Sequence, residues 1–453
     1  MNMEFKSRKL MYKNLLLTPI LCLLLFTTAV AQITDDEKDP FEDDPFFTKP
    51  IQEVLSPARF RDNLKRQRDR VLMHGGIDTR KRDLYGYSDY PGLSTLLPNL
   101  QNVRYNRVDG LTLGVRIDQL NWSEYREVRP FGFADYAFAR KRINFGFGLE
   151  RVFGSKKRLK LGAEYHNTTD SDDQWRLGFT ENSLFSFFSG YDFMDYYNRR
   201  GINAYMVYRQ SAWIDHTISF RVDEYHSLEA NTSFNLFGGR SHVRPNPGIS
   251  EGRYQSFVYA LNYNQYDFMQ LPNLSLAGDL VVQLGDFGNF ATDYRHNRYE
   301  AELRSVVKID RLSALKARIR AGSVTGDEIP RGFALGGVGT MRAHPFKSIG
   351  GERMLLSNVE LMMGNWQGQQ RWNNDWFHSK RVYYSLFADF GWVNSNEINS
   401  KNPVSGFGSF RFGDVKTDVG VSVNFSIVRF ELAWQAADIL GTPVFWVRLN
   451  PVF

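Results

Sequence analysis

The sequence predicts an all-β chain, a transmembrane antiparallel β-barrel of about 16 strands. Three observations lead there. The N terminus reads as an export signal. Segments of about ten residues alternate apolar and polar side chains with period two. The chain is polar in total, with a mean hydropathy of −0.40, yet 15 % of its residues are aromatic.

Lys6, Arg8, Lys9 and Lys13 form a positive n-region, and Leu15 to Phe26 an apolar run of 12 residues. That run is too short to span a bilayer comfortably as a helix. Ala29-Val30-Ala31 supplies small residues at the positions a signal peptidase reads, which places cleavage before Gln32 and makes residues 1–31 a signal peptide. Cys22 is the only cysteine. It lies inside the apolar run, after Leu21 rather than a small residue, so no disulfide and no lipid-anchored cysteine is expected. The formal charge of +6 is shared between the signal and the rest of the chain, too mild to imply nucleic acid. No later apolar run reaches the roughly 18 residues of a transmembrane helix.

Residues 32–105 read as a periplasmic leader, partly disordered. Asp35 to Asp44 is acidic, and Ala58 to Val71, with Arg59, Arg61, Lys65, Arg66, Arg68 and Arg70, has the spacing of one short helix. Residues 106–453 read as the barrel. Ile143, Phe145, Phe147 and Leu149 alternate with Asn144, Gly146, Gly148 and Glu150, and Leu315, Ala317, Ile319 and Ala321 with Lys316, Arg318 and Arg320. A soluble sandwich also alternates, but the strand length, the aromatic load and the export signal favour a lipid-facing exterior around a wet lumen. Strands are expected to begin near 109, 130, 142, 157, 174, 201, 214, 254, 274, 296, 313, 351, 380, 415, 427 and 443. The one near Trp175 is included because termini on one side require an even count. Long loops at 182–200, 225–253, 325–350 and 394–414 are expected on one side, and short connections near 140, 211, 310 and 426 on the other. The last strand aligns Phe445, Val447, Leu449 and the terminal Phe453, with Pro451 removing one ladder donor.

One stretch narrows the family. Arg331-Gly-Phe-Ala-Leu-Gly336-Gly337-Val-Gly339-Thr-Met341-Arg342-Ala343-His344-Pro-Phe346 is followed by Gly350-Gly351 and then by Asn358-Val-Glu360-Leu361. Downstream stands Phe387-Ala-Asp389-Phe-Gly391. These motifs resemble the outer membrane protein 85 superfamily, the bacterial surface antigen family of BamA-, TamA- and FhaC-type barrels. Its long loop carries a Gly-Gly, a Val-Arg-Gly-aromatic tetrad and a second Gly-Gly, and a later strand carries Phe-x-Asp-x-Gly. Here the tetrad reads Met341-Arg342-Ala343-His344, with Ala in place of Gly and His in place of the aromatic, which Phe346 could supply. The resemblance is specific over 330–453 and loose over 106–330.

It implies that loop 325–350 folds into the lumen. Arg342 would reach Asp389, with Phe387 offering its ring face to the guanidinium. Gly336, Gly337, Gly339, Gly350 and Gly351 would allow positive-φ turns and close backbone approach. By period two, Phe387, Asp389 and Gly391 face the lumen, and Leu386, Ala388, Phe390 and Trp392 face lipid. Arg116, Lys160, Arg304, Lys316, Arg318, Arg320 and Glu360 are expected to line the lumen as a charge network. The leader has no pattern for a POTRA domain, the periplasmic module of this superfamily.

Searches for chemistry return little. There is no His-Glu-x-x-His pair, cysteine cluster or phosphate loop, and the eight histidines are scattered. The expectation is therefore no enzyme, no cofactor and no metal. A role is expected in outer-membrane biogenesis, or in translocation of a protein or lipid partner. The alternative is a passive channel or scaffold. Expected partners are outer-membrane lipid and proteins of the periplasm or outer membrane, not nucleic acid.

Overall fold

A computed structural model describes residues 103–116, 128–153, 158–211, 213–237, 243–264, 273–286, 292–326, 332–366, 382–395, 402–425 and 428–449. The expected signal peptide, nearly all of the leader, Pro451 and Phe453 lie outside the described residues. The chain divides into two compact units, residues 1–68 with 153–157 and residues 69–152 with 158–453. Apart from Phe153, the described residues belong to the second unit.

That unit is all-β around one 16-stranded antiparallel sheet. Its strands are β1 (Arg104–Asn106), β2 (Gly110–Arg116), β3 (Val128–Ala137), β4 (Arg142–Phe153), β5 (Leu159–Asp170), β6 (Tyr197–Arg209), β7 (Ile214–Ser227), β8 (Gly252–Tyr263), β9 (Leu274–Leu284), β10 (His296–Lys308), β11 (Ser313–Gly326), β14 (Arg353–Gly364), β15 (Val382–Asn394), β16 (Lys416–Phe425), β17 (Val428–Gln435) and β18 (Val444–Leu449). Between β11 and β14 the loop forms its own two-stranded sheet from β12 (Phe333–Leu335) and β13 (Ile349–Gly351). Each strand of the large sheet pairs with its sequence neighbours, so successive connections alternate between the two ends of the sheet.

The strand expected near Trp175 does not form. Asp172–Trp175 is a 3-10 turn, and Phe179–Ser189 is an 11-residue helix, α1. The Ser171 side chain accepts from the Asp173 amide to start the turn, and Gly190 at φ 77° ends the helix. The count of 16 is completed instead by three-residue β1, which straddles the boundary drawn between leader and barrel at 105/106. Alternation places connections 171–196, 228–251, 327–352 and 395–415 at one end and 210–213 and 309–312 at the other, while the short connection expected near 426 lies outside the described residues. The turn at 138–141 lies with the long loops, contrary to expectation.

The burial of the two faces is inverted relative to a water-soluble protein. Ile143 and Phe147 on β4 are each 59 % exposed, while Asn144 between them is buried. On β11, Ile319 is exposed and flanked by Arg318 and Arg320, each 2 % exposed. Leu386 and Phe390 on β15 are exposed, and Phe387 and Asp389 are buried. Trp392 departs from its parity group. It is buried, with the rings of Phe407 and Phe410 from the following connection packed 5.9 and 5.5 Å away.

Candidate functional site: a loop arginine on the sheet wall

The connection between β11 and β14 packs against the polar face of β14–β18. Gly336 and Gly337 turn the chain at φ 113° and 81°. A Cβ on Gly336 would come within 2.1 Å of the Pro345 carbonyl oxygen, so the loop closes on itself only with glycine there. The Gly337 amide donates to the carbonyls of Met341 and His344, and the Gly336 amide donates to Thr340 Oγ1. These bonds hold Met341-Arg342-Ala343-His344 as a tight projection. Gly350 and Gly351 are extended residues of β13 rather than positive-φ turns, and Gly351 allows a close approach to the Asn394 backbone.

Arg342 is 2 % exposed. Its Nε and Nη2 donate to the two oxygens of Asp389 at 2.8 and 2.6 Å, a bidentate fork. Its Nη1 donates to Glu360 at 3.0 Å and to Glu431 at 3.3 Å. The Phe387 ring centroid lies 3.4 Å from the guanidinium carbon. The Arg342 carbonyl accepts from Trp446 Nε1 at 2.8 Å, which ties the loop to the last strand as well. Burial alone would lower the pKa of this guanidinium, but Asp389, Glu431 and Glu360 outweigh it and hold the pKa well above its ordinary value.

Around this contact the strands supply further partners. Arg429 donates to both oxygens of Glu360, at 2.9 and 2.6 Å, and pairs with Glu431 at 2.6 Å. Asn358 donates to Asp389 and to the Thr340 carbonyl, while its own oxygen accepts from Arg318. Asp389 faces Asp418 directly across the β15–β16 pairing. Two carboxylates in that position repel. Each is covered by one residue of the loop, Asp389 by Arg342 and Asp418 by His344, whose Nδ1 lies 2.8 Å from Asp418 Oδ1. The Ala343 amide donates to the other Asp418 oxygen at 2.7 Å. The histidine that departs from the family tetrad thus has a partner in the next strand. Phe346 does not take the aromatic's place on the wall. Its ring packs near the guanidinium groups of Arg176 and Arg244 from two other connections.

Arg318, Arg320 and Glu360 are all buried, and Arg318 is linked to Glu360 through Asn358, Asp389 and Arg342. Glu360 belongs to the Arg342 cluster. Arg318 bonds Asn358 and the Gly339 carbonyl, beneath the loop. Arg320 pairs with Glu300 and Glu302 of β10, and Glu302 also takes Arg304. The Trp175 ring stands between the groups, 4.4 Å from the Arg320 guanidinium and 5.9 Å from that of Arg318. Lys160 pairs with Glu150 elsewhere on the sheet, at 3.4 Å. Sequence reasoning missed Arg429, Glu431, Asp418 and Trp446. A weak signal existed, since all four sit at period-two positions of the last three strands.

A family model described as the C-terminal domain of a family of unknown function, DUF5686, matches residues 81–268, less than half of the chain. No curated protein matches. Among solved structures, the chain is similar to BamA from Haemophilus ducreyi lacking POTRA domains 1–3, at 13 % identity and a TM-score of 0.48, over 76 % of this chain and 68 % of that one. It is similar to CdiB from Acinetobacter baumannii at 13 % identity and a TM-score of 0.38, over 75 % of this chain and 56 % of that one. CdiB from Escherichia coli matches at 12 % identity and a TM-score of 0.42, over 77 % of this chain and 60 % of that one. The chain therefore spans less than two thirds of either CdiB. Scores this low leave the architecture to be argued from this chain's own strands.

Proposed function

We propose that this chain is an outer-membrane β-barrel of the surface-antigen type, acting in outer-membrane biogenesis or in translocation of a protein or lipid partner. The inverted faces support the membrane reading. Apolar side chains exposed along the strands would be costly in water and are at home in acyl chains, while the buried charged face suits a wet interior. The observation that carries the functional reading is the Arg342–Asp389 fork stacked on Phe387. It joins the loop motif to the strand motif. A passive pore has no evident need for a loop arginine sharing three buried carboxylates. No catalytic role and no cofactor are proposed.

The test joins two measurements on the protein from native membranes. Planar-bilayer recordings should show a small or intermittent conductance that becomes larger and steadier in Arg342→Ala. Affinity purification should retain a periplasmic or outer-membrane partner. A large, steady open pore in the unaltered protein, with no partner retained, would make the chain a passive channel instead.

A further inference from the structure

We propose that helix α1 completes the membrane wall between the first and last strands and presents one apolar face to lipid acyl chains. This rests on the membrane reading above.

Among the described residues no pairing joins β1 to β18. These edge strands have only 3 and 6 residues, against 10–14 in most of the others. An open edge inside a bilayer leaves backbone groups without partners. Here both edges are met by α1. The Tyr105 amide of β1 donates to Ser183 Oγ at 3.2 Å, and the Leu449 amide of β18 donates to Glu181 Oε1 at 2.8 Å. Arg448 adds its guanidinium to the same carboxylate, with Nε 2.8 Å from Oε1. Residues two apart on a helix point about 200° apart. The helix therefore lies between the two edges and shows each a different side. The rings follow the same division. Phe187, one turn beyond Ser183, meets Tyr105 edge-on at 5.4 Å. Phe185, one turn beyond Glu181, meets Phe193, which packs on Trp446 of β18.

The two remaining sides of the helix settle which way it faces. Asn182 and Ser186 are buried, and Asn182 donates to Asp192 and Tyr196 at 2.8 Å each. On the opposite side lie Thr180, Leu184 and Phe188, with Phe188 41 % exposed. A surface helix of a water-soluble protein buries its apolar stripe and exposes its polar one. This helix does the reverse, as the flanking sheet does. The Leu236 and Phe237 amides cap the carbonyls of Phe187 and Phe188 at 2.8 Å, and the Phe237 ring stacks on Phe188 at 5.9 Å. Phe237 is 79 % exposed, and on the strands at the two edges Leu111 and Leu113 of β2 and Phe445 of β18 are exposed apolar side chains as well.

The lone native cysteine makes the test direct. In a Cys22→Ser background, a nitroxide is attached at Phe188→Cys, with Leu184→Cys as a second position on the same side. The full chain is reconstituted in phosphatidylcholine vesicles, and collision of the label with oxygen, which partitions into lipid, is compared with collision with a water-soluble nickel chelate. Phe147→Cys on β4 is the lipid reference and Glu229→Cys, in an exposed connection, the water reference. The expected result is an oxygen-to-nickel ratio at 188 and 184 close to that at 147 and several-fold above that at 229. A ratio at 188 and 184 matching 229, with 147 reading as lipid, would overturn the proposal and leave the membrane reading standing. A label shielded from both reagents would mean that protein, such as a second copy of this chain, covers the helix, and would overturn it too. A water-like ratio at 147 would remove the membrane reading itself.

Discussion

Two buried charge clusters use the same chemistry for different ends. On β9–β11, Arg304 and Arg320 interleave with Asp279, Glu300 and Glu302, and these three carboxylates are all carried by strands of the sheet. On β14–β17, Asp389, Glu360 and Glu431 are also carried by strands, but Arg342, one of the two cations they share, arrives from a loop. The first cluster braces a wall. The second fastens a separate piece onto it. Only the second should be able to let go while the sheet stays intact.

The largest expected effect is that of Arg342→Ala. It strands buried carboxylates, at a local cost of about 3–5 kcal/mol. Amide exchange at Gly336 and Gly337 should accelerate by roughly a hundred-fold to a few thousand-fold, since each 1.4 kcal/mol is a factor of ten. The strand ladder should keep its protection. Arg320→Ala removes as much charge but should leave those two amides protected, with the loss felt on β10 and β11. If both variants loosen the loop equally, the distinction between brace and fastener fails.

Asp389→Ala should cost less than Arg342→Ala, because Glu360 and Glu431 still hold the guanidinium. The double variant should cost less than the sum of the two, by about 0.5–3 kcal/mol of coupling. Arg342→Lys should restore only part of the loss, since an ammonium lacks the planar fork that engages both Asp389 oxygens and stacks on Phe387. Denaturation midpoints of the four proteins decide the matter, and strict additivity would mean the two residues act separately.

How much of this could be read from the residues alone is uneven, for physical reasons. Period two is enforced wherever one face of a strand is apolar and exposed and the other polar and buried, so β4, β10, β11 and β15 could be placed within a residue or two. The loop contact was legible because two short motifs name both partners. Helix α1 was not. Phe179–Ser189 lies between two sheet edges, so rings occupy three of its four sides and no single apolar stripe stands out in the sequence. Trp175 misled for a related reason. An aromatic in a segment of strand length suggests a wall position, but here it covers arginines on the polar face. Glu181 and Arg448 stand 267 residues apart, and no local pattern links them.

The smallest effect concerns pH. Lys347 bridges Asp173 and Asp195 at 2.7 and 2.5 Å, and joins the loop to connection 171–196. Burial pushes the Asp195 carboxyl up, but Lys347 and Arg244 outweigh it and hold its pKa below the usual value. A depressed carboxylate stabilises the folded state above its unfolded pKa, and that share is lost as pH falls through the lower folded value. Loop protection should therefore weaken on acidification below the ordinary aspartate range, and Lys347→Met should flatten that dependence. The pair is partly exposed, so the amplitude should be modest. An unchanged acid profile in Lys347→Met would assign the dependence to other groups.

The facing carboxylates of Asp389 and Asp418 also set an order of assembly. Until the loop arrives, the β15–β16 hairpin must align two bare negative charges across its ladder. Strand registration and loop docking are thereby made to depend on one another, so the last third of the sheet zips late and in concert with the loop. On this hypothesis Arg342→Ala should insert into vesicles more slowly than the unaltered chain, followed by the heat-sensitive gel mobility of the folded form. Asp418→Asn in the same background should recover much of the rate, and equal insertion rates for all three proteins would rule the coupling out.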